Sequence, residues 1–202
     1  MKGVFKDYEL RRKAMHFTIG VCFVVFINFY RNLDYSKLEF FLLAGLLFSL
    51  LLSIYTKYKR PKFLMDFLKI FDKPKDLEKF PGKGAVYYII GILIAIMLFD
   101  KNTASACILI LAIGDPAAHI FGRYYGRNRL IINKKKLLEG TLAGIFLGTV
   151  VATIFVPFPI AFFGAAFGMM AEAFELEVLH IDGNFFIPFV SGIVMTMIES
   201  LL

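Results

Sequence analysis

The sequence predicts an all-α membrane protein, a polytopic bundle of about seven transmembrane helices with a cytoplasmic N-terminus. Three observations lead to this fold class. Hydrophobic residues make up 58% of the chain, whereas soluble domains contain about 45–50%. Apolar runs long enough to cross a bilayer recur along the 202 residues. Finally, Lys and Arg are concentrated in alternate connections between these runs.

The first predicted span follows a basic N-terminal tail. Because no small-residue cleavage site comes after it, we interpret it as a retained span and not as a signal peptide. Pro157 and Pro159 indicate a tight connection between the fifth and sixth spans. With no internal repeat or low-complexity linker, residues 1–202 are expected to form a single domain. The seven spans are placed at about Ala14–Phe29, Lys37–Tyr55, Ala85–Phe99, Thr103–Phe121, Leu138–Val156, Pro159–Phe174 and Phe185–Leu202.

Orientation follows from the basic residues, of which 20 of the 23 lie in the N-terminal tail, the second-to-third loop and the fourth-to-fifth loop. These segments are therefore predicted to be cytoplasmic and the C-terminus external. The same distribution explains the net charge of +7 without a nucleic-acid partner. We expect a multi-pass protein of the cell membrane, and the sequence leaves its oligomeric state open.

The long loop 57–83 contains the segment RPKFLMDFLKIF, whose apolar residues recur every three or four positions. This pattern predicts a basic amphipathic helix on the inner leaflet. Two roles are open for it, an anchor on anionic lipid and direct guidance of a substrate.

Unusual polar residues gather at the predicted cytoplasmic ends of the spans, where ionisable groups are costly and point to function. The stretch Gly114–Gly126 places Asp115 and His119 four residues apart, on one face of a helix. Its glycines would let the backbone approach a ligand closely. The other members of this set are Arg12, His16, Lys83, Glu139, Thr141, Glu172, Glu175, Asp182 and Asn184.

Structural alternatives stay open for several of these residues. Arg12 can be a topology anchor, His16 an interfacial histidine, and Asp115 a partner of Arg123. Glu139 can stabilise a helix N-terminus, and Lys134–Lys136 can act only as a topology signal. Gly140, Gly144 and Gly148 have the small-xxx-small spacing of closely packed membrane helices.

Phosphoryl or nucleotidyl transfer is the chemistry that needs this mixture of groups. Carboxylates hold Mg²⁺, while Lys and Arg neutralise a polyphosphate. Helix N-termini and glycine-rich turns offer N–H groups to phosphate oxygens, and a carboxylate or histidine can receive a proton. Since the chain has no Walker A motif, kinase glycine-rich loop or Rossmann fingerprint, a nucleotide site must be of another design.

The ordered set of motifs resembles the CTP-dependent lipid-alcohol kinases, a family that includes dolichol, phytol and CTP-dependent diacylglycerol kinases. Lys83-Gly84 with a nearby tyrosine is a weaker match. In place of Gly183 the family often has an Asp, and Glu175 is an alternative to Glu172 in this loop. The main matching segments are Arg11-Arg-Lys-Ala-Met-His16, Gly114-Asp115 with the glycines to Gly126, Lys136-Leu-Leu-Glu-Gly-Thr141, and Glu172 followed by Asp182-Gly-Asn-Phe-Phe-Ile-Pro188.

The resemblance implies transfer of the γ-phosphoryl group of CTP to a membrane alcohol, an isoprenoid alcohol or diacylglycerol, at the cytoplasmic face. It implies Asp115, Glu139, Glu172 and Asp182 as ligands of Mg²⁺ and activators of the hydroxyl, with His16 orienting one acid. The residues implied for nucleotide and phosphate are Arg12, Lys83, Gly114, Gly122, Arg123, Gly126, Lys135, Lys136, Gly140, Thr141 and Asn184.

Two other functions compete with the kinase. A cytidylyltransferase would use the same CTP and Mg²⁺ but release pyrophosphate and make a CDP-lipid. A non-enzymatic transporter or scaffold would use the polar face as a gate. The resemblance gives His119 no role.

Overall fold

The structure, a computed structural model, describes residues 7–30, 34–131, 133–134, 136–173 and 182–201, and most of these residues are helical. A π-helical turn, Ile110–Gly114, joins α6 to α7. No strand occurs within these ranges, which confirms the all-α prediction. The α-helices are α1 (Asp7–Phe29), α2 (Tyr35–Lys59), α3 (Lys62–Phe71), α4 (Pro74–Lys79), α5 (Lys83–Leu98), α6 (Lys101–Leu109), α7 (Asp115–Tyr125), α8 (Leu138–Ala152), α9 (Phe158–Ala173) and α10 (Gly183–Glu199).

Each predicted span coincides with a helix or, for the fourth, with the continuous unit α6–π–α7. By length and composition, two helices of the described residues could cross a membrane, Tyr35–Lys59 and Lys101–Tyr125. Four shorter apolar helices accompany them. The count of seven spans therefore stays a prediction.

The unit Lys101–Tyr125 is the centre of the bundle. In the most apolar 18-residue stretch of this unit, 72% of the residues are buried. In the corresponding stretch of α2, which lies at the periphery, only 11% are buried. Helices α1, α8 and α10 all contact the π turn, and α9 packs between α8 and α10. Ile108, Ile110 and Leu111 are fully buried there. A residue at the end of this unit is therefore held by several helices at once.

The π turn has a local cause in Pro116, which lies two residues after the end of the turn. Proline has no N–H to donate to a carbonyl one turn earlier, and its ring crowds that carbonyl. A wider π turn accommodates the mismatch, and such turns are frequent at functional sites. Asp115 lies at this change of helix type and begins α7.

Glycines allow α7 and α8 to pack with their backbones nearly in contact. A Cβ on Gly140 would lie 2.4 Å from the carbonyl oxygen of Ala118 and 2.9 Å from Gly122 Cα. One on Gly144 would lie 2.9 Å from the Gly114 carbonyl oxygen. Close helix packing thus accounts for the small-xxx-small spacing.

The predicted amphipathic segment is a helix, α3, and it leaves α2 through a sharp turn at Arg60, which has a positive φ of 46°. No residue of α3 is buried, and Phe63 and Phe67 are 81% and 51% exposed on one face. Beyond α3, Asp72 Oδ2 accepts a 2.6 Å hydrogen bond from the backbone N–H of Gly82. Burial raises the pKa of Asp72, while this hydrogen bond opposes the rise. The bond ties α3 and α4 to the start of α5.

Candidate active site

A cavity of about 330 Å³ lies at one end of the bundle and brings together side chains from distant parts of the chain. The beginnings of α1, α8 and α10, the end of α9 and one face of α7 surround it. Five cationic and four anionic side chains line its wall, so the cavity is rich in both positive and negative charge. These residues are Arg12, Lys13, Lys73, Arg123 and Lys136, and Glu9, Asp115, Glu172 and Asp182.

Asp115 is buried at the base of the cavity, and its two carboxylate oxygens both accept hydrogen bonds from Lys13 Nζ. The side chains are only 5% and 10% exposed. Lys13 is therefore the partner of Asp115, and the structure does not show the alternative pairing with Arg123. A buried charge pair of this kind is strongly destabilised when one partner is removed.

Glu172 forms the second ion pair, with Lys136 Nζ. Its side chain passes directly over Gly183, where a Cβ would lie 2.7 Å from Glu172 Cγ. A larger residue at this position would displace the carboxylate. This contact gives a physical reason for a glycine at position 183, where the lipid-alcohol kinases that the sequence resembles often have Asp.

Two helix N-termini face the cavity. Asp182 Oδ1 caps α10 by accepting a 3.2 Å hydrogen bond from the N–H of Asn184, whose Nδ2 donates to the Gly84 carbonyl at 3.4 Å. Leu137 and Thr141, at the start of α8, line the opposite wall. Backbone N–H groups and the helix dipole make such ends favourable for anions.

The predicted residues Glu139 and Lys83 lie away from the cavity lining. Glu139 accepts hydrogen bonds from the backbone N–H and side-chain Nδ2 of Asn128, at 3.1 and 2.8 Å. The Nζ of Lys83 lies 5.5 Å from the centre of the Tyr87 ring. The structure therefore places neither Glu139 nor Lys83 beside the paired acids.

His16 is buried and stacks on Tyr88, with ring centroids 4.3 Å apart. The Tyr88 hydroxyl donates a hydrogen bond of 2.5 Å to the backbone carbonyl oxygen of His16. Neither ring nitrogen has a hydrogen-bond partner among the described residues, so no hydrogen bond shows His16 orienting an acid.

The predicted phosphate-binding glycines act mainly in packing. Gly114, Gly122 and Gly140 contribute to the close approach of α7, α8 and the π turn, and a Cβ on Gly126 would lie 2.3 Å from the Gly122 carbonyl oxygen. The predicted residues Lys135 and Glu175 lie outside the described residues.

Three charged cavity residues, Glu9, Lys13 and Lys73, are not among the predicted site residues, and a further polar one, His119, belongs to the predicted polar set but has no role implied by the resemblance. A sequence signal existed for two of them, because Glu9, Lys13 and His16 recur at the spacing of one helix face. Lys13 lies both in the basic tail and in the matching segment Arg11–His16, but the resemblance implies no role for it. For Lys73 no local pattern indicates a site, since its position depends on how α3 and α4 fold back.

Magnesium is implied by the resemblance, and the donor set can be tested against it. Among the described residues, no three His, Cys, Asp or Glu side chains form a metal-binding group. Mg²⁺, however, commonly keeps several waters and binds one or two carboxylates together with substrate phosphates. Asp115 and Glu172 offer hard oxygen donors to a single cavity. They fit a magnesium ion that arrives with a triphosphate, not a cage made by protein alone.

Comparison with known proteins identifies lipid kinases as relatives. CTP-dependent diacylglycerol kinase 1 of Eremothecium gossypii is 27% identical over 151 residues, which cover 73% of this chain and 46% of that protein. The Schizosaccharomyces pombe protein of the same name is 24% identical over 96% of this chain and 94% of its own length. Probable phytol kinase 2, chloroplastic, of Oryza sativa is 24% identical over 98% of this chain and 68% of its own length.

No protein-family model and no solved structure matches the chain. The chain spans about half the length of the Eremothecium relative. Even so, these relatives bear the names of the kinases that the order of the motifs predicted. Because they are named as kinases, they support an enzymatic role for this chain. The predicted resemblance is therefore confirmed: the chain is similar to two CTP-dependent diacylglycerol kinases and to a probable phytol kinase.

Proposed function

We propose that the protein is a membrane lipid kinase that transfers the γ-phosphoryl group of CTP to the hydroxyl of a lipid alcohol. One observation carries the proposal: a single cavity contains both the cations that a triphosphate needs and buried carboxylates that a metal needs. The relatives' names supply the donor and the class of acceptor, either diacylglycerol or a phytol-type isoprenoid alcohol. The products are a lipid monophosphate and CDP.

Arg12, Arg123 and Lys73 are proposed to bind phosphate oxygens, together with the N-termini of α8 and α10. Lys13 and Lys136 can turn from their carboxylates to the incoming phosphates, which would free Asp115 and Glu172 for the metal. Magnesium would then supply charge neutralisation on the transferred group. Positioning and neutralisation of charge are the main requirements of phosphoryl transfer.

We also propose that the bundle crosses the membrane with this cavity on the cytoplasmic side. Basic residues of α1 and of both basic loops line the cavity end, as expected from the distribution of Lys and Arg. In this orientation α3 lies on the inner leaflet, with Phe63 and Phe67 towards the acyl chains. Its basic residues would then contact anionic headgroups.

Purified protein with labelled CTP and a panel of lipid alcohols tests the function. The expected products are CDP and a lipid monophosphate, and chelation of magnesium should abolish both. Release of pyrophosphate with formation of a CDP-lipid would instead identify a cytidylyltransferase. A failure to consume any nucleoside triphosphate, with every alcohol tested, would favour a transporter or scaffold.

A further inference from the structure

The carboxylate of Glu9 differs from the other acids of the cavity in its partners. Asp115 and Glu172 each pair with a lysine, and Asp182 caps α10. Glu9 instead has two long contacts: Oε2 lies 3.5 Å from His119 Nε2, and Oε1 lies 3.5 Å from the Tyr8 hydroxyl. Its side chain is 28% exposed, so it is accessible from the cavity. Of these acids, Glu9 is thus the one held neither by an ammonium group nor by a helix N-terminus.

Glu9 also lies where a lipid hydroxyl would be presented. It precedes the first predicted span, which begins at Ala14, by little more than one helical turn. Lys13, four residues later on the same face, contacts Asp115. Glu9 therefore lies between the buried ion pair and the level at which the headgroup of a membrane alcohol meets water.

His119 packs against Glu9 from a different helix. It is on α7, one turn after Asp115, and its side chain is 27% exposed. Its Nε2 is buried and, among the described residues, has no hydrogen-bond partner of normal length. An imidazole in this position can complete a hydrogen bond to Glu9 when the carboxylate moves by a few tenths of an ångström. Besides Glu9, the charged groups that act on His119 are Lys13, Asp115 and Arg12, and the same cavity also contains Lys73, Arg123 and Lys136.

We infer that Glu9 is the general base that accepts the proton of the lipid hydroxyl, and that His119 is a positioning residue for its carboxylate. This inference rests on the proposed kinase function. The hydroxyl oxygen forms a bond to the γ-phosphorus while its proton passes to a carboxylate oxygen of Glu9. The bond from the γ-phosphorus to the β–γ bridging oxygen breaks, and that oxygen leaves with its electron pair as part of CDP.

Glu9→Gln, compared with Glu78→Gln, tests the base. Glu78 is an exposed acid on α4 outside the cavity lining, so it provides the same chemical change without the proposed role. Glu9→Gln should lower kcat by roughly 10²–10⁴-fold, the usual range for a general base. The KM for CTP should stay within about twofold, because the residue acts on the acceptor. Glu78→Gln should leave both constants unchanged.

Acceptor acidity provides a readout that a structural role would not change. A fluorinated lipid alcohol loses its proton more easily and depends less on a base. The deficit of Glu9→Gln should therefore shrink with the fluorinated acceptor, and the acidic limb of the kcat–pH profile should disappear. His119→Gln should lower kcat by about tenfold and shift that limb. A purely structural histidine would change thermal stability and leave the limb in place.

Three results would overturn the inference. Full activity of Glu9→Gln would exclude a proton acceptor at this position. An increased requirement for magnesium or CTP, with the pH profile retained, would identify Glu9 as a ligand of the metal–nucleotide complex. If wild-type protein transferred no phosphoryl group from any nucleotide to any alcohol, the proposed function itself would fail. If the wild-type protein is active and only Glu9→Gln loses activity, the result bears on the role of Glu9 as the base and not on the kinase function.

Discussion

At the scale of single residues, the cavity is organised by two ion pairs that differ from those on the surface. Lys13 and Asp115 are almost completely withdrawn from solvent, whereas Lys69 and Asp66 on α3 are 58% and 53% exposed at a distance of 2.9 Å. Charges in a poorly solvated site interact strongly but also cost much more to leave alone. The same geometry that stabilises the pair therefore holds a lysine next to the place proposed for phosphate.

Replacing Lys13 by Met should destabilise the protein by about 3–5 kcal/mol, because Asp115 would remain as an uncompensated buried charge. Lys13→Met with Asp115→Asn should recover much of this loss, since the double variant buries no charge, and should still lack kinase activity. Thermal unfolding in detergent and product formation measure the two effects.

Lys69→Met is the matched control, because an exposed pair contributes about 0–1 kcal/mol. Its stability and activity should be close to wild type. Retained activity in Lys13→Met would show that the lysine serves only the packing of α1.

At the scale of elements, glycine determines how near two helices can come. Gly140 lies where α8 meets α7, and Gly45 on α2 has no atom within 4 Å of a Cβ position. Both residues are helical, so the same substitution tests contact at one site and helix propensity at the other.

Gly140→Ala should destabilise the protein by about 1–3 kcal/mol, because its Cβ would overlap the backbone of α7. Gly45→Ala should be neutral or stabilising by up to about 1 kcal/mol, since alanine has the higher helix propensity. The difference in unfolding midpoint between the variants is the measurement. Equal midpoints would contradict the close packing of α7 and α8.

Helix α3 offers a second test, because the chain contains no tryptophan. Phe67→Trp introduces one fluorophore on the exposed apolar face, and Lys69→Trp introduces one on another side of the same helix. In vesicles with anionic lipid, brominated acyl chains should quench Phe67→Trp more strongly, with emission shifted to the blue. Equal quenching of the two variants would place the apolar face of α3 away from the acyl chains.

At the scale of the whole molecule, residues from both termini meet at one end of the bundle. Arg12 and Lys13 come from the first helix, and Asp182 and Asn184 from the start of the last. The starts of α8 and α10 and the end of α9 line the same cavity, so these consecutive helices alternate in direction, as the charge distribution predicts. The placement of this end on the cytoplasmic side is a proposal with a direct test.

Single cysteines report which side of the membrane each end faces. After replacement of Cys22 and Cys107 by Ala, Lys101→Cys should react with a membrane-impermeant maleimide applied from outside the cell. Lys134→Cys should react only after permeabilisation, because the basic connection is expected inside. Both residues are exposed, so the reagent can reach them. The reverse pattern would invert the topology.

The sequence by itself determined the apolar helices and their approximate limits, but not α4 or the π turn. Apolar runs identify helices because backbone hydrogen bonding and burial of side chains are local properties. Even α3 was predictable, since Phe63, Phe67 and Ile70 repeat at helical spacing. Counting Lys and Arg indicated the end at which functional groups would gather, because that count needs no three-dimensional contacts.

Only the tertiary structure decided which of those groups meet. Lys13 and Asp115 are 102 residues apart, and no local pattern pairs them. Glu139 and Gly140 are neighbours in sequence but about 100° apart around α8, so when Gly140 packs against α7, Glu139 turns towards Asn128. The relative rotation of packed helices arises from close contacts over many residues, which are absent from any single segment. For that reason the contact between Glu9 and His119 became visible only in the folded bundle.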